Sequence, residues 1–275
     1  MLVGAGAGLS AAAGLRYDDA RLFARWFPGL HAEGIETLWD AVVKYWLPDD
    51  ANRLRFWAFW ANHAQKARYD APPGKVYLDL LQVLDGKDYF IITTNADGQF
   101  LKAGFDPQRM FTPQGEYAVF QCAVPCHPAV YDNREMVGRM VANMDREAYR
   151  VREEDIPRCP VCGGYMERNL RQDDRFVEAP YMGRQKDYAD FINASMAGRL
   201  VMLELGAGFN TPGIIRWPFE RLAQRHPEAA LIRINLEDAG FRRELGAKAV
   251  GFKEDAAVVV ADFLKGMNPQ ESILR

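Results

Sequence analysis

Two periodicities divide this chain. Near-continuous apolar runs occur at 89–94, at Val201-Met202-Leu203-Glu204-Leu205, at Ala230-Leu231-Ile232-Arg233-Ile234 and at Ala257-Val258-Val259-Val260-Ala261, with a brief one at Leu2-Val3. Runs of this length and composition predict central strands of a parallel sheet, apolar on both faces. Between them, apolar residues recur every three or four positions. Arg53 to Ala67 carries Leu54, Trp57, Ala58, Ala61 and Ala64 on one helical face. Helices are predicted over 19–27, 35–47, 51–69, 75–85, 214–226 and 241–248, with breaks at Pro28-Gly29 and Pro72-Pro73-Gly74. Another helix is expected to start at Ser10 and Ala11 to Ala13. Thr211 and Pro212 read as the N-cap and first residue of the helix near 214. Strands alternating with helices predict an open α/β sheet with helices on both faces. The aromatics between Phe23 and Trp60 read mainly as core, with a lid or groove as the alternative.

The four cysteines change this picture. Cys122, Cys126, Cys159 and Cys162 form C-x3-C and C-x2-C, separated by 32 residues. Two tight turns delivering two thiolates each suit a closed structural Zn2+ site, and four sulfurs leave no position for a catalytic water. His127 reads as a bystander. A small zinc-binding domain over 116–180 is therefore expected as an insertion in a larger domain, 1–115 plus 181–275. The insertion is too small for a good core of its own, so metal would supply part of its folding energy.

Composition sets bounds. The 275 residues are 49% hydrophobic and 26% charged, enough to bury a sizeable core. A net charge of -3 gives no electrostatic reason to expect nucleic acid. No apolar stretch approaches a membrane span, and the N-terminus lacks a basic region followed by a long apolar run. A cytoplasmic protein without a membrane anchor is expected.

In an open parallel sheet, ligands bind beyond the carboxyl ends of the strands. The segments that fall there are Gly4 to Ser10, Asn95 to Gln99, Gln114-Gly115, Gly206 to Gly213 and Asn235. Gly6-x-Gly8-x-x-Ala11 fits the relaxed dinucleotide turn, in which backbone N–H groups and a helix N-terminus face a pyrophosphate. It also fits a plain packing turn. The acidic residue that follows such a turn in dehydrogenases is missing, since Trp26, Phe27 and Pro28 occupy that window. Thr94-Asn95-Ala96-Asp97-Gly98 places an amide and a carboxylate after a strand, as ribose contacts or as an ordinary turn with its cap. Gly206 to Gly213 is a second glycine-rich loop.

Taken in order, Gly4 to Ser10, Thr94 to Gly98, Gln114-Gly115, the four cysteines, and Gly206 to Gly213 with Ile234-Asn235 resemble a sirtuin over nearly the whole chain. The resemblance implies a Rossmann-like NAD-binding domain with an inserted zinc domain, and an enzyme that cleaves the nicotinamide–ribose bond. It places Ala5, Gly6, Ala7, Gly8 and Ser10 around the diphosphate and adjacent ribose. Asn95 and Asp97 fall beside the nicotinamide and its ribose. Gly206, Ala207 and Gly208 fall on the adenosine side, Asn235 at the adenine ribose and Asp262 near the adenine. Deacylating sirtuins carry His-Gly where this chain has Gln114-Gly115. Glutamine can orient a ribose, but it has no proton affinity near neutral pH with which to act as a base.

That pattern resembles the microbial sirtuin branch encoded beside macrodomain proteins. Its members are protein ADP-ribosyltransferases, with lipoylated carrier proteins of the glycine-cleavage type as acceptors. The resemblance implies a protein acceptor and a functional link to a macrodomain hydrolase, with Asn95, Asp97, Gln114 and Arg171 as catalytic residues. Arg171 has a second reading, a salt bridge to Asp173, Asp174 or Glu178. NAD-dependent deacylation, NAD hydrolysis and bare nucleotide binding are the alternative functions.

Overall fold

The computed structural model describes residues 1–267. The strands among the described residues are β1 (Leu2–Ala5), β2 (Phe90–Thr93), β3 (Met110–Phe111), β4 (Gly115–Cys122), β5 (Val130–Asp132), β6 (Met166–Leu170), β7 (Leu200–Leu205), β8 (Ala229–Ile234) and β9 (Ala249–Phe252). The chain divides into two compact units. One comprises Met1–Gly14, Pro73–Gly115 and the chain from Tyr181 on. The other comprises Leu15–Pro72 and Glu116–Pro180.

The first unit holds a six-stranded sheet in the order β3-β2-β1-β7-β8-β9. Its pairings are parallel. Counted within the sheet, this is the doubly wound order 3-2-1-4-5-6, whose switch point lies between β1 and β7. Alternate residues of each strand enter opposite layers. Val3, Ile91, Leu203 and Leu205 pack with Leu80, Phe100, Val259 and Val260 on one side. Leu2, Phe90, Ile92 and Met202 pack with Ile215, Phe219 and Ala223 on the other. This two-sided burial is why the strands read as continuous apolar runs.

The run Ala257 to Ala261 is not a strand. It lies in the helix Ala256–Met267, with Ala256, Val259 and Val260 buried at helical spacing and Val258 exposed. A short apolar run has no periodicity of its own to separate a strand from a buried helix face. The sixth strand is instead β9, following a 3-10 segment at Arg243–Lys248 where a helix over 241–248 was expected. Two helix starts also differ. The first helix begins at Ala7 rather than Ser10. The helix after β7 begins at Arg216, because Thr211 to Ile215 form turns and Ile215 takes the N-cap position.

Two charges stand in the otherwise apolar centre of this sheet. Glu204 on β7 is directly opposite Arg233 on β8. Arg233 Nε and Nη2 donate to the two carboxylate oxygens of Glu204 at 2.7 and 2.9 Å, and its Nη1 donates to Glu220 at 2.8 Å. Both members of the strand pair are fully buried. The strands were legible, but the pair was missed. A charge inside a buried run is itself the signal, since it requires a partner. Arg233→Met leaves Glu204 a buried carboxylate without its fork. We expect a loss of about 3–5 kcal/mol and a fall of roughly 10 °C in melting temperature by calorimetry. The double change Glu204→Leu with Arg233→Met should cost less than Arg233→Met alone.

The second unit has a three-stranded sheet in the order β5-β4-β6. Its core combines Phe23, Phe27, Leu30, Tyr45, Phe56, Trp57, Phe59 and Trp60 with Phe120, Cys122, Val137, Met140, Ile156 and Cys159. Residues 15–72 therefore group with 116–180 rather than with the parallel sheet, which is where the sequence placed them. The reason is packing. The apolar face of the helix Arg53–Ala64 is covered by side chains of the cysteine-bearing segment, as where Trp57 meets Phe120 edge-on at 5.0 Å. The aromatics are mainly core, with Trp39 (53%) and Trp46 (38%) as exposed exceptions. No helix of the described residues is long and apolar enough to cross a membrane.

Candidate nucleotide site and cysteine cluster

Beyond the ends of β1 and β7, the two glycine loops lie backbone against backbone. Gly6 N–H donates to Leu205 O at 2.9 Å, and Gly8 N–H donates to Gly206 O at 3.0 Å. A Cβ on Gly6 would fall 2.7 Å from Ala207 Cα, and one on Gly8 would fall 2.6 Å from Gly206 Cα. Gly206 has φ +60° and would place a Cβ 2.5 Å from Gly8 Cα. These glycines therefore answer first to each other, as the packing-turn reading held. Their interlock also fixes the N-terminus of the helix Ala7–Ala12. Gly6 there offers no side-chain cap, and no acidic residue occupies the first turn. Gly8 N–H is spent on Gly206 O and Leu9 N–H on Gly6 O, so what this helix start offers an anion such as a pyrophosphate is its dipole rather than a set of unpaired N–H groups.

The loop after β2 is tied to the same point. Thr93 Oγ1 donates to Ala5 O at 3.0 Å and accepts from Asn95 N–H at 3.1 Å. Asn95 Nδ2 donates to Gly6 O at 2.9 Å. Asp97 is buried. It accepts from Ser10 Oγ at 2.5 Å through Oδ2 and from Gln99 N–H at 3.0 Å through Oδ1. Gln99 in turn accepts from Gly74 N–H at 2.8 Å. At the end of β8, Asn235 Nδ2 donates to Ala207 O at 3.0 Å, and its Oδ1 accepts from the N–H groups of Glu237 and Asp238. Arg216 braces this side from behind, donating to Ala207 O at 3.2 Å and to Asp238 Oδ2 at 2.9 Å. The structure thus brings Ala5, Gly6, Ala7, Gly8, Ser10, Asn95, Asp97, Gly206, Ala207 and Asn235 together at the ends of four strands.

The other expected residues lie as follows. Gly208 has no atom within 4 Å of the position a Cβ would take. Gln114 is half-buried in the turn between β3 and β4. Asp262 lies in the helix Ala256–Met267, 61% exposed and paired with Lys265 at 2.8 Å. Arg171, in the second unit, pairs with Glu178 at 2.8 Å and lies over the Phe176 ring, so the salt bridge foreseen for it is present.

Tyr77, Thr93, Arg216 and Asp238 were not singled out from the sequence. Tyr77 reads there as one more core position on a helix, and nothing local marks its hydroxyl. Burial, and next the Asp97 carboxylate, push the Tyr77 phenol well above its ordinary pKa. It remains a neutral O–H at any physiological pH.

In the second unit, the sulfurs of Cys122, Cys126, Cys159 and Cys162 all lie within 4.8 Å of one another. Cys122 and Cys162 are 3.6 Å apart, and Cys126 and Cys159 are 3.7 Å apart. A tetrahedron with Zn–S bonds of about 2.3 Å has edges of about 3.8 Å, which these two pairs match, so the four-thiol set is consistent with this ion. Cys122 closes β4, and Cys159 and Cys162 flank a tight turn in which Gly163 N–H donates to Cys159 O at 2.9 Å. His127 Nδ1 lies 3.0 Å from Cys126 Sγ, and its Nε2 lies 2.7 Å from Tyr131 Oη. It stands beside the cluster, which four sulfurs already complete.

A parallel sheet in this order with a four-cysteine insertion is the sirtuin arrangement, and comparison with solved structures shows the same fold. Sir2Tm bound to a propionylated peptide superposes with a TM-score of 0.59 at 15% identity, covering 97% of this chain and 92% of that one. A Sir2 homologue in complex with NAD gives 0.57 at 17% identity, covering 98% and 89%. No protein-family profile matches the chain. Among curated proteins, a protein ADP-ribosyltransferase of Staphylococcus aureus is 29% identical over 275 residues, covering 96% of this chain and 83% of the relative. A probable bifunctional ADP-ribose hydrolase/ADP-ribosyltransferase of Fusarium oxysporum f. sp. cubense is 33% identical over 243 residues. That alignment covers 86% of this chain but only 40% of the relative's length. The chain is thus a sirtuin-fold protein related to these two.

Proposed function

We propose that this chain is an NAD-consuming enzyme acting on a protein or peptide. The observation that carries the reading is the meeting of Gly6, Ser10, Asn95, Asp97, Ala207 and Asn235 at the switch point of the sheet, beside a helix start with no acidic residue in its first turn. Bound there, NAD would supply an ADP-ribosyl group with nicotinamide as the leaving group. The helix start and glycine loops would hold its diphosphate. Asn235 would hold the adenine ribose; Asp262, carried by a helix rather than by a strand end, has no place in this reading. Asn95, Asp97 and Gln114 would orient the nicotinamide ribose, and Arg171 would serve an acceptor carboxylate or phosphate once released from Glu178. Zn2+ on the four cysteines would be structural.

Two chemistries suit such a site. Transfer of ADP-ribose to a protein side chain is supported by Gln114, which can orient a hydroxyl but not take its proton, and by the names of the two curated relatives. Removal of an acyl group from a protein lysine is supported by the solved sirtuins, one of them holding a propionylated peptide. The solved neighbours back deacylation at least as well as transfer, so the conclusion is the reaction class common to both. A lipoylated carrier as acceptor belongs to the transfer reading. So does a partner hydrolase, which the Fusarium relative's joint name supports.

Intact-mass measurement separates the two. Enzyme and NAD are mixed with a lipoylated carrier, its unlipoylated form and an acetyl-lysine peptide. Gain of one ADP-ribosyl mass on a carrier, abolished by Gln114→Ala, establishes transfer. Loss of acetyl from the peptide with carriers unchanged establishes deacylation. Free ADP-ribose with neither product marks a hydrolase, and no nicotinamide release overturns the enzyme reading.

A further inference from the structure

We propose that Tyr77 is a positioning residue that holds a one-directional hydrogen-bond chain from Asn95 through Ser10 to Asp97 and thereby fixes which edge of the Asn95 amide faces the ligand. Its consequence for turnover rests on the NAD reading above. The chain itself does not.

Tyr77 stands on the helix Lys75–Val83 with no exposed surface, its ring edge-on to Phe100 at 4.9 Å. Its hydroxyl lies 3.4 Å from Asn95 Nδ2 and 3.4 Å from Ser10 Oγ. The chemistry of each group dictates the direction of each bond. An amide nitrogen only donates, so Asn95 gives to Tyr77 Oη as well as to Gly6 O at 2.9 Å. An ionised carboxylate only accepts, so the single Ser10 proton goes to Asp97 Oδ2 at 2.5 Å. Ser10 Oγ is left as an acceptor, and the Tyr77 proton has one place to go. Burial keeps that proton on the phenol.

With Nδ2 committed to Gly6 O and Tyr77, Oδ1 occupies the opposite edge of the Asn95 amide as an acceptor. An acceptor at that position suits a ribose hydroxyl or a water that must be oriented. The reversed amide would set Oδ1 against Gly6 O and take from Tyr77 the bond it accepts. Tyr77 therefore acts through Asn95 and Ser10, without touching ligand.

The test is Tyr77→Phe, which keeps the ring against Phe100 and removes only the hydroxyl. In the ligand-free protein, the side-chain 1H–15N signals of Asn95, assigned by their loss in Asn95→Asp, should shift and exchange faster with solvent. Ser10→Ala should move the same signals, which keeps the test in force if Tyr77→Phe folds poorly. In the turnover assay, nicotinamide release should slow about tenfold. Melting temperature should fall by only a few degrees, as loss of one buried hydroxyl dictates, and ADP-ribose affinity by calorimetry should fall less than the rate. The double variant should be no slower than the worse single one, because both break one chain. Unmoved Asn95 signals overturn the proposal. So does a rate loss matched by equal losses of affinity and melting temperature, which would mark a packing role. A wild-type protein that releases no nicotinamide overturns the functional reading, while the Asn95 signals still decide the role of Tyr77.

Discussion

Stripping metal from the cysteine cluster should unfold the second unit as a whole, including helices far from the cysteines in sequence. Cys122 and Cys159 are buried members of the core that holds Phe23, Phe27, Phe56, Trp57 and Trp60. Loss of Zn2+ leaves four thiols with sulfurs 3.6–3.7 Å apart in two pairs and nothing to bind them together. Structural Zn2+ contributes about 10–16 kcal/mol of apparent binding free energy in small zinc modules. That is comparable to the total stability of an ordinary domain, about 5–15 kcal/mol. Chelation, or Cys159→Ser, should therefore abolish the near-ultraviolet dichroism of Trp57 and Trp60. Amide protection should vanish across 15–72 and 116–180, while amides of β1, β7 and β8 keep theirs. Protection lost only around 120–165, with the helices 20–64 unchanged, would show that the metal does not support the shared core. A metal content of one Zn2+ per chain is the accompanying expectation.

Gly206→Ala should disable the candidate nucleotide site while leaving both units folded. Two costs add. The residue sits at φ +60°, where a Cβ costs about 1–2 kcal/mol. The new methyl would also lie 2.5 Å from Gly8 Cα, Gly8 C and Leu9 N, which are backbone atoms that cannot rotate aside. The loops after β1 and β7 must then part, carrying with them the start of the helix Ala7–Ala12 and the Gly6 carbonyl that receives Asn95. A displacement of about 1 Å at such a site is enough to cost about a hundredfold in turnover, and we expect ADP-ribose affinity by calorimetry to fall comparably. Gly208→Ala is the internal contrast. Its Cβ meets no protein atom within 4 Å, so the melting temperature should hold. Nucleotide affinity unchanged by Gly206→Ala would show that the interlocked loops are a packing device alone.

Features that depend on near neighbours in the chain were readable before any folding was considered. Strands β1, β2, β7 and β8 were legible because burial on both faces leaves a continuous apolar signature. The glycine turns after β1 and β7, Asn95 and Asp97 after β2, and Asn235 after β8 were legible because strand ends are where polar and flexible residues interrupt that signature. The cysteine spacing announced four converging thiols because a metal imposes its own local geometry. Whatever depends on partners distant along the chain came from the fold. It made Ala257 to Ala261 a helix face, since a five-residue apolar run takes the form that its surroundings can cover. It joined residues 15–72 to the cysteine segment, since an apolar helix face does not state which surface will bury it. It set Arg233 opposite Glu204 through strand register, and it placed the Tyr77 hydroxyl between Ser10 and Asn95, groups 67 and 18 residues away. Local sequence fixes what each segment offers, and only the closure of the sheet fixes which offers meet.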